Sequence, residues 1–262
     1  MATPASAGQP DMRRLFVAPH PDDVALSCGG AVAIAARDDG AQIVTVFAGQ
    51  PQGGVGAFAR SQHERWGLET NTIASQRQDE DRCAAAALGD QVTPIWLDEL
   101  DAIYRDPRYD SDEALFGRLL DEDMPTIDRI VEALLAHDPE ELVVPLAIGH
   151  HVDHQIVLRA GRRLAARGVR VWAYADLPYA LDRRAITPRL ASGVAREVRL
   201  VGLDDDAFER KCRAIDCYAS QLPVIFRDWG DHRDALDSYH RWIGGGRRAE
   251  AQWRVVPSRL AG

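Results

Sequence analysis

The sequence predicts an α/β protein with a mostly parallel sheet covered by helices on both faces, built as a single domain. Three observations carry that expectation. Short β-rich runs alternate with helical segments along most of the chain, several strand-like runs are continuously apolar, and no internal repeat or linker divides the 262 residues. Continuous apolar runs suit strands buried on both faces. Strand–helix–strand spacing implies βαβ units, whose right-handed crossovers place helices on either side of the sheet.

The elements follow in order. Residues 15–18 (LFVA) form the first strand, broken by the Pro19–Asp23 stretch. Residues 24–37 are Ala-rich and helical, with the pair Gly29-Gly30 inside. Residues 42–47 (QIVTVF) are the second strand, and 49–67, rich in Gly and polar residues, read as a loop. Residues 75–88 are a helix closed by Gly89. Residues 92–97 are a third strand, against which Pro94 counts. Residues 98–123 are acidic and irregular and read as an insertion over the strand ends. An amphipathic helix over 126–136 precedes a fourth strand over 141–146. A loop over 147–151 then leads to a helix that Asp153 is expected to cap and that runs to about Arg167. Strands over 169–175 and 197–201 and a helix over 204–219 complete the reading. The last forty residues, with three Trp, receive no assignment.

Composition excludes several classes. Hydrophobic residues at 46% and charged residues at 27% are ordinary for a globular chain. Lys+Arg of 31 against Asp+Glu of 40 gives a net charge of −9, unsuited to a phosphate backbone, so no nucleic-acid partner is expected. Arg162, Arg163, Arg167 and Arg170 cluster, and read as the solvated face of a helix. No apolar run approaches the roughly 18 residues of a membrane helix, so no membrane association is expected. Cys28, Cys83, Cys212 and Cys217 show no CxxC spacing and no disulfide ladder. They are expected to be reduced thiols, in keeping with a cytoplasmic protein. Residues 1–11 are expected to be a flexible leader before a domain over 12–262, and a homo-oligomer is left open.

Two clusters carry chemistry, each directly after an expected strand. The first is Pro19-His20-Pro21-Asp22-Asp23 and the second is His150-His151-Val152-Asp153-His154; together they hold four of the eight histidines. In a doubly wound sheet the first and fourth strands are neighbours at the switch point, where ligands bind beyond the carboxyl ends. His20, Asp23 and His154 would then supply two imidazoles and one carboxylate to a divalent metal with an open position. Asp22, adjacent to Asp23, could face a metal-bound water as a base. His151 and His154, three apart, share a helix face. Taken singly, each cluster is also what a capped turn looks like.

These residues resemble the PIG-L/LmbE family of metal-dependent N-deacetylases. The PHPDD signature of that family is similar to residues 19–23, and its HxDH signature to residues 151–154. The Arg77 and Glu80 helix ending in Leu88-Gly89, and Asp101 after the third strand, extend the resemblance over roughly residues 13–180. The family implies a Rossmann-like three-layer fold, a zinc ion with iron(II) as the alternative, and hydrolysis of an N-acetyl group on an amino sugar or a metabolite that carries one. By resemblance, His20, Asp23 and His154 are the metal ligands and Asp22 the general base. His151 is the electrophile or general acid, Asp153 orients a histidine, and Arg77 and Asp101 contact the sugar. Val24 and Val152 depart from the family's usual Glu and Pro, and neither change removes a ligand. Trp66 and Tyr104 are further candidates for stacking on a sugar ring. A thiol-conjugate amidase would use the same centre. A non-haem iron(II) oxygenase also uses two His and one carboxylate, and a non-catalytic binding protein would have no use for Asp22.

Overall fold

The computed structural model describes residues 14–38 and 40–258. The expected leader and the extreme C-terminus lie outside the described residues. The chain runs β1 (Arg14–Ala18), α1 (Asp23–Asp38), β2 (Ala41–Thr45), α2 (Ala57–Trp66), α3 (Ile73–Leu88), β3 (Val92–Trp96), α4 (Ala102–Arg105), α5 (Asp112–Leu115), α6 (Met124–Leu135) and β4 (Glu141–Pro145). It continues with α7 (Val152–Ala166), β5 (Arg170–Tyr174), α8 (Ile186–Ala191), β6 (Ala195–Gly202), α9 (Asp205–Asp216), α10 (Leu222–Ile225), α11 (His232–Ile243) and β7 (Ala249–Val255).

The strands form one seven-stranded sheet in the order β3-β2-β1-β4-β5-β7-β6. The first five are parallel, and β7 is antiparallel to both β5 and β6. β1 and β4 are neighbours, with Phe16 opposite Val143, so the switch point lies between them as expected. Their side chains are buried almost throughout, which is why these strands read as unbroken apolar runs. Pro94 is tolerated because β3 is an edge of the sheet.

Three expectations need correction, and the unassigned C-terminal residues acquire a structure. Residues 57–66 are a helix, not loop; only Ala59, Gln62 and His63 of α2 are buried, so it lacks the apolar stripe that would have marked it. The C-terminal residues contain α11 and β7, and β7 inserts between β5 and β6. Asp153 does not cap α7; His151 does, its Nδ1 accepting from the Asp153 backbone N–H at 3.2 Å. The cysteines are not all reduced: Cys83 of α3 and Cys217, just after α9, are joined by a disulfide with Cα atoms 5.8 Å apart, while Cys28 and Cys212 are buried free thiols. A pair 134 residues apart has no signature in spacing, and its presence removes the thiol argument for a reducing compartment.

The Gly29-Gly30 pair has a structural cause. α1 is broken at Cys28 (φ −143°, ψ 24°), which frees the N–H groups of Gly30 and Ala31. Glu250 of β7 accepts from both, at 3.0 and 2.8 Å, and is neutralised by Lys211 Nζ at 2.6 Å. A side chain at Gly30 would meet Leu203 at 2.6 Å. Of the arginine cluster, Arg163 and Arg167 lie on the outer face of α7, paired with Asp128 and Glu132; Arg162 is half-buried and donates to the Val256 carbonyl, and Arg170 begins β5. Among the described residues no helix is long and apolar enough to cross a membrane.

Candidate metal centre

β1 and β4 end side by side, so the segments that follow them share one edge of the sheet. The chain leaves β1 through a turn in which Asp22 has φ 103°, a conformation costly for a non-glycine residue. It leaves β4 through Ala147, Gly149 and His150, all with positive φ. A Cβ on Gly149 would lie 2.6 Å from the Tyr179 ring, so this loop packs too closely for any other residue. These turns bring His20, Asp23 and His154 together. His20 Nδ1 and His154 Nε2 each lie 3.4 Å from one oxygen, Asp23 Oδ2. That spacing suits a tetrahedral ion with bonds of about 2.0–2.1 Å, for which the edge is about 3.4 Å.

The far nitrogen of each imidazole meets a carboxylate. His20 Nε2 is 2.9 Å from Asp153 Oδ2, and His154 Nδ1 is 2.6 Å from Asp176 Oδ1. A carboxylate only accepts, so in the neutral imidazole the proton sits on the far nitrogen and the lone pair faces Asp23. Two overlapping trios, His20/His151/His154 and His20/Asp101/Asp153, bring possible ligand atoms within 4.8 Å of one another; Asp23 stands in neither, although its Oδ2 lies 3.4 Å from both imidazoles. In both, atoms are already committed: His151 Nδ1 to the Asp153 N–H, and Asp153 Oδ2 to His20 Nε2 and to the Ala102 N–H at 3.0 Å. In the set built on Asp23, the two rings in their neutral form turn lone pairs toward one carboxylate oxygen, which also accepts from the His20 backbone N–H at 2.8 Å.

Electrostatics agree with a site built for a cation. Burial opposes a charge on His20, but Asp101, Asp153 and Asp23 outweigh it and raise the imidazole well above its ordinary value. His154 is raised against burial by Asp23 and Asp176. Burial works to raise Asp23, yet His154 and His20 hold it below the usual carboxylate range. Asp22 behaves oppositely: burial and then Asp23 raise it well above the carboxylate range, with Arg77 as partial relief. His151 is pushed down to about 3 by burial and then by His20, so it is a neutral ring.

A cavity of about 430 Å³ opens over His20, Asp22, Asp23, His151 and His154. Arg77 and Asp101 also line it. Arg77 Nη2 donates to the Pro21 carbonyl at 3.1 Å, lies 3.6 Å from Asp22 Oδ2, and its guanidinium rests 5.2 Å from the Trp66 ring. Asp101 caps α4 through the Ile103 N–H at 3.2 Å and places its other oxygen 3.6 Å from His20 Nε2. Trp66 lines the cavity, but Tyr104 does not; its hydroxyl is engaged by His63 Nε2 at 2.5 Å.

Residues 15–165 match the model of the family described as PIG-L: GlcNAc-PI de-N-acetylase. That span is more than half of the chain and contains both histidine clusters. The chain belongs to the PIG-L family. It is 30% identical over 248 residues to a 2'-N-acetylparomamine deacetylase of Streptomyces fradiae, covering 89% of this chain and 82% of that one. The zinc inhibited form of teicoplanin deacetylase Orf2 superposes with a TM-score of 0.79 at 27% identity, over 95% of this chain and 100% of the other. The A40926 pseudoaglycone deacetylase Dbv21 does so with 0.74 at 29% identity, over 95% and 99%. The PIG-L assignment, the three-layer α/β fold and the deacetylase class read from the two signatures therefore stand.

Three residues of this PIG-L chain sit at the centre without a role assigned from sequence; Asp176 and Tyr179 fall in the stretch Asp176-Leu177-Pro178-Tyr179, which resembles the family, and Arg105 does not. Asp176 follows the end of β5, as the two signatures follow β1 and β4, and that position was its signal. Tyr179 closes the wall beside His154, ring centroids 6.1 Å apart. Arg105, in the acidic insertion, lies 2.8 Å from Asp153 Oδ1 and had no local signal at all.

Proposed function

We propose that this PIG-L deacetylase is a zinc-dependent enzyme that removes the N-acetyl group from an amino sugar carried within a larger natural-product-type molecule. One observation carries the metal assignment: a single carboxylate oxygen, Asp23 Oδ2, faces the lone-pair sides of two imidazoles, each backed by its own carboxylate. His20, Asp23 and His154 would hold the ion. When bound, it supplies Lewis acidity toward the amide carbonyl and makes water acidic enough to ionise near neutral pH. The substrate class is supported by the names of the relatives, whose substrates include acetylparomamine, teicoplanin and the A40926 pseudoaglycone.

The chain's own groups divide the remaining work. Asp22, turned into the cavity by its strained backbone, takes the proton from the attacking water and returns it to the leaving nitrogen. His151 Nδ1 is occupied by a backbone N–H, so its Nε2–H is the donor available to the carbonyl oxygen as negative charge grows there. His151 therefore acts as a neutral electrophile. Asp153 orients His20. Arg77 and Asp101, on the cavity wall, hold the sugar hydroxyls. The leaving amine is the amino sugar and the other product is acetate.

Acetate release from N-acetylated amino sugars and their conjugates, with zinc-loaded protein, tests this reading. Asp22→Asn should reduce turnover by at least about 100-fold, the lower range for a general base, while the metal stays bound. Near-normal turnover by Asp22→Asn would remove Asp22 as the base. Hydrolysis of thiol-conjugate amides with no release from any N-acetyl sugar would move the assignment to the amidase.

A further inference from the structure

We propose that Arg105 is a positioning residue of the metal centre: it pins the Asp153 carboxylate so that Asp153 presents one oxygen to His20 and directs the opposite ring nitrogen at Asp23. This rests on the metal reading above. The argument comes from the two orienting carboxylates compared. Asp176 is held at both ends, with Oδ1 on His154 Nδ1 at 2.6 Å and Oδ2 accepting from the Ile148 N–H at 3.0 Å. Asp153 has Oδ2 on His20 Nε2 and on the Ala102 N–H, but its Oδ1 has no hydrogen-bond donor and is fully buried. The group that compensates Oδ1 is the guanidinium of Arg105, with Nη2 at 2.8 Å in a close ion pair. Arg105 offsets the buried charge of Asp153 Oδ1 by ion pairing, where Asp176 Oδ2 takes a backbone hydrogen bond.

Arg105 is itself built in. Its Nε donates to Asp123 Oδ1 at 2.8 Å, its Nη1 donates to the Leu100 carbonyl at 2.8 Å, and Phe47 and Tyr109 flank the guanidinium at 5.1 and 5.6 Å. A planar fork that spans two carboxylates and a carbonyl in fixed directions is what arginine offers and lysine does not. Without it, Asp153 keeps a buried oxygen with no counter-charge, a costly state that rotation of the carboxylate away from His20 would relieve. The acidic insertion over 98–123 is then more than a wall of the cleft, since its helix α4 reaches the centre through Arg105.

The test is a double-mutant cycle on metal affinity, read by competition of zinc and cobalt(II) with a chromogenic chelator. The set is Arg105→Gln, Asp153→Asn and the double variant. Arg105→Gln should weaken binding about 10–100-fold, the usual cost of losing a partner behind a metal ligand, and should alter the cobalt(II) absorption spectrum. On the Asp153→Asn background the same change should cost less than about twofold, because Arg105 then has nothing to position. Equal losses on both backgrounds, or unchanged affinity in Arg105→Gln, would overturn the proposal. Should Arg105→Gln fail to fold, Arg105→Lys carries the same cycle, with a smaller expected loss. His154→Ala separates the two claims: if it keeps metal, the metal reading falls; if it loses metal while Arg105→Gln keeps it, only the role of Arg105 falls.

Discussion

Asp176→Asn is the perturbation with the clearest consequence. Asp176 is fully buried and its two oxygens accept from two donors, His154 Nδ1 at 2.6 Å and Ile148 N at 3.0 Å. An amide has one acceptor and one donor end, so neither orientation satisfies both partners. With its oxygen on Ile148 N, its NH2 meets His154 Nδ1, and the ring must shift its proton to Nε2, the atom 3.4 Å from Asp23 Oδ2. The lone pair that a metal needs is then gone. With its oxygen on His154, donor meets donor at Ile148. Either route loses a charge-assisted hydrogen bond in a buried place, about 2 kcal/mol, or roughly 30-fold in metal affinity. Chelator competition with zinc measures that loss, and the circular dichroism spectrum of the metal-free variant controls for folding. If folded Asp176→Asn binds zinc within twofold of the parent, the tautomer argument for the whole centre is wrong.

Other perturbations test the frame around the centre. The disulfide closes a separation of 134 residues, for which chain entropy sets a ceiling of about 5 kcal/mol; a loss of about 2–4 kcal/mol is expected in urea unfolding of Cys83→Ser/Cys217→Ser. Thiol titration in denaturant without reductant should find only Cys28 and Cys212, and a count of four would dismiss the bond. Lys211→Met leaves Glu250 buried without its counter-ion, and should cost about 3–5 kcal/mol in the same assay; a change under 1 kcal/mol would show that the two N–H groups suffice. His240 is buried, and burial, Lys211 and Arg248 hold it well below its ordinary value against the Ala249 carbonyl. Protonation therefore favours the unfolded chain, so stability is full above the unfolded value of about 6.5 and falls below it. Between pH 7 and pH 5 the parent should lose about 2 kcal/mol more than His240→Phe, and parallel losses would refute the assignment.

What could be read from the sequence follows from where information is local. β1, β2, β4 and β5 were legible because burial on both faces writes itself as an apolar run, and the two signatures were legible because strand ends at the switch point are where chemistry collects. β7 was hidden because its buried residues include Glu250 and Gln252, polar side chains paid for by Lys211 and Arg199 from elsewhere in the chain. The cap of α7 was misassigned because Asp outranks His in capping preference, while tertiary demand for Asp153 at His20 overrode it. Tyr104 was a reasonable stacking candidate by type, but a buried partner, His63, claimed its hydroxyl. Arg105 illustrates the limit: its role exists only through an ion pair with a residue 48 positions away, and nothing near it in sequence records that.

One helix joins the centre to the region left unassigned from sequence. On successive turns of α3, Arg77 holds the Pro21 carbonyl beside Asp22, Glu80 accepts from the Ser220 N–H and hydroxyl at 2.8 and 2.7 Å, Asp81 accepts from the Tyr218 hydroxyl at 2.8 Å, and Cys83 bonds Cys217. The turn they anchor leads directly into α10, whose Val224 and Ile225 line the cavity together with Gln221 and Trp229. α3 therefore braces both the turn after β1 that carries Asp22 and the far wall, and a shift of α3 would move both. The family match ends at residue 165, before any of this wall, whereas the identity to the acetylparomamine deacetylase spans 248 residues. A wall that arrives later in the chain than both histidine clusters, and is fastened through α3, is an arrangement in which the lining can vary while His20, Asp23 and His154 stay on the ends of β1 and β4.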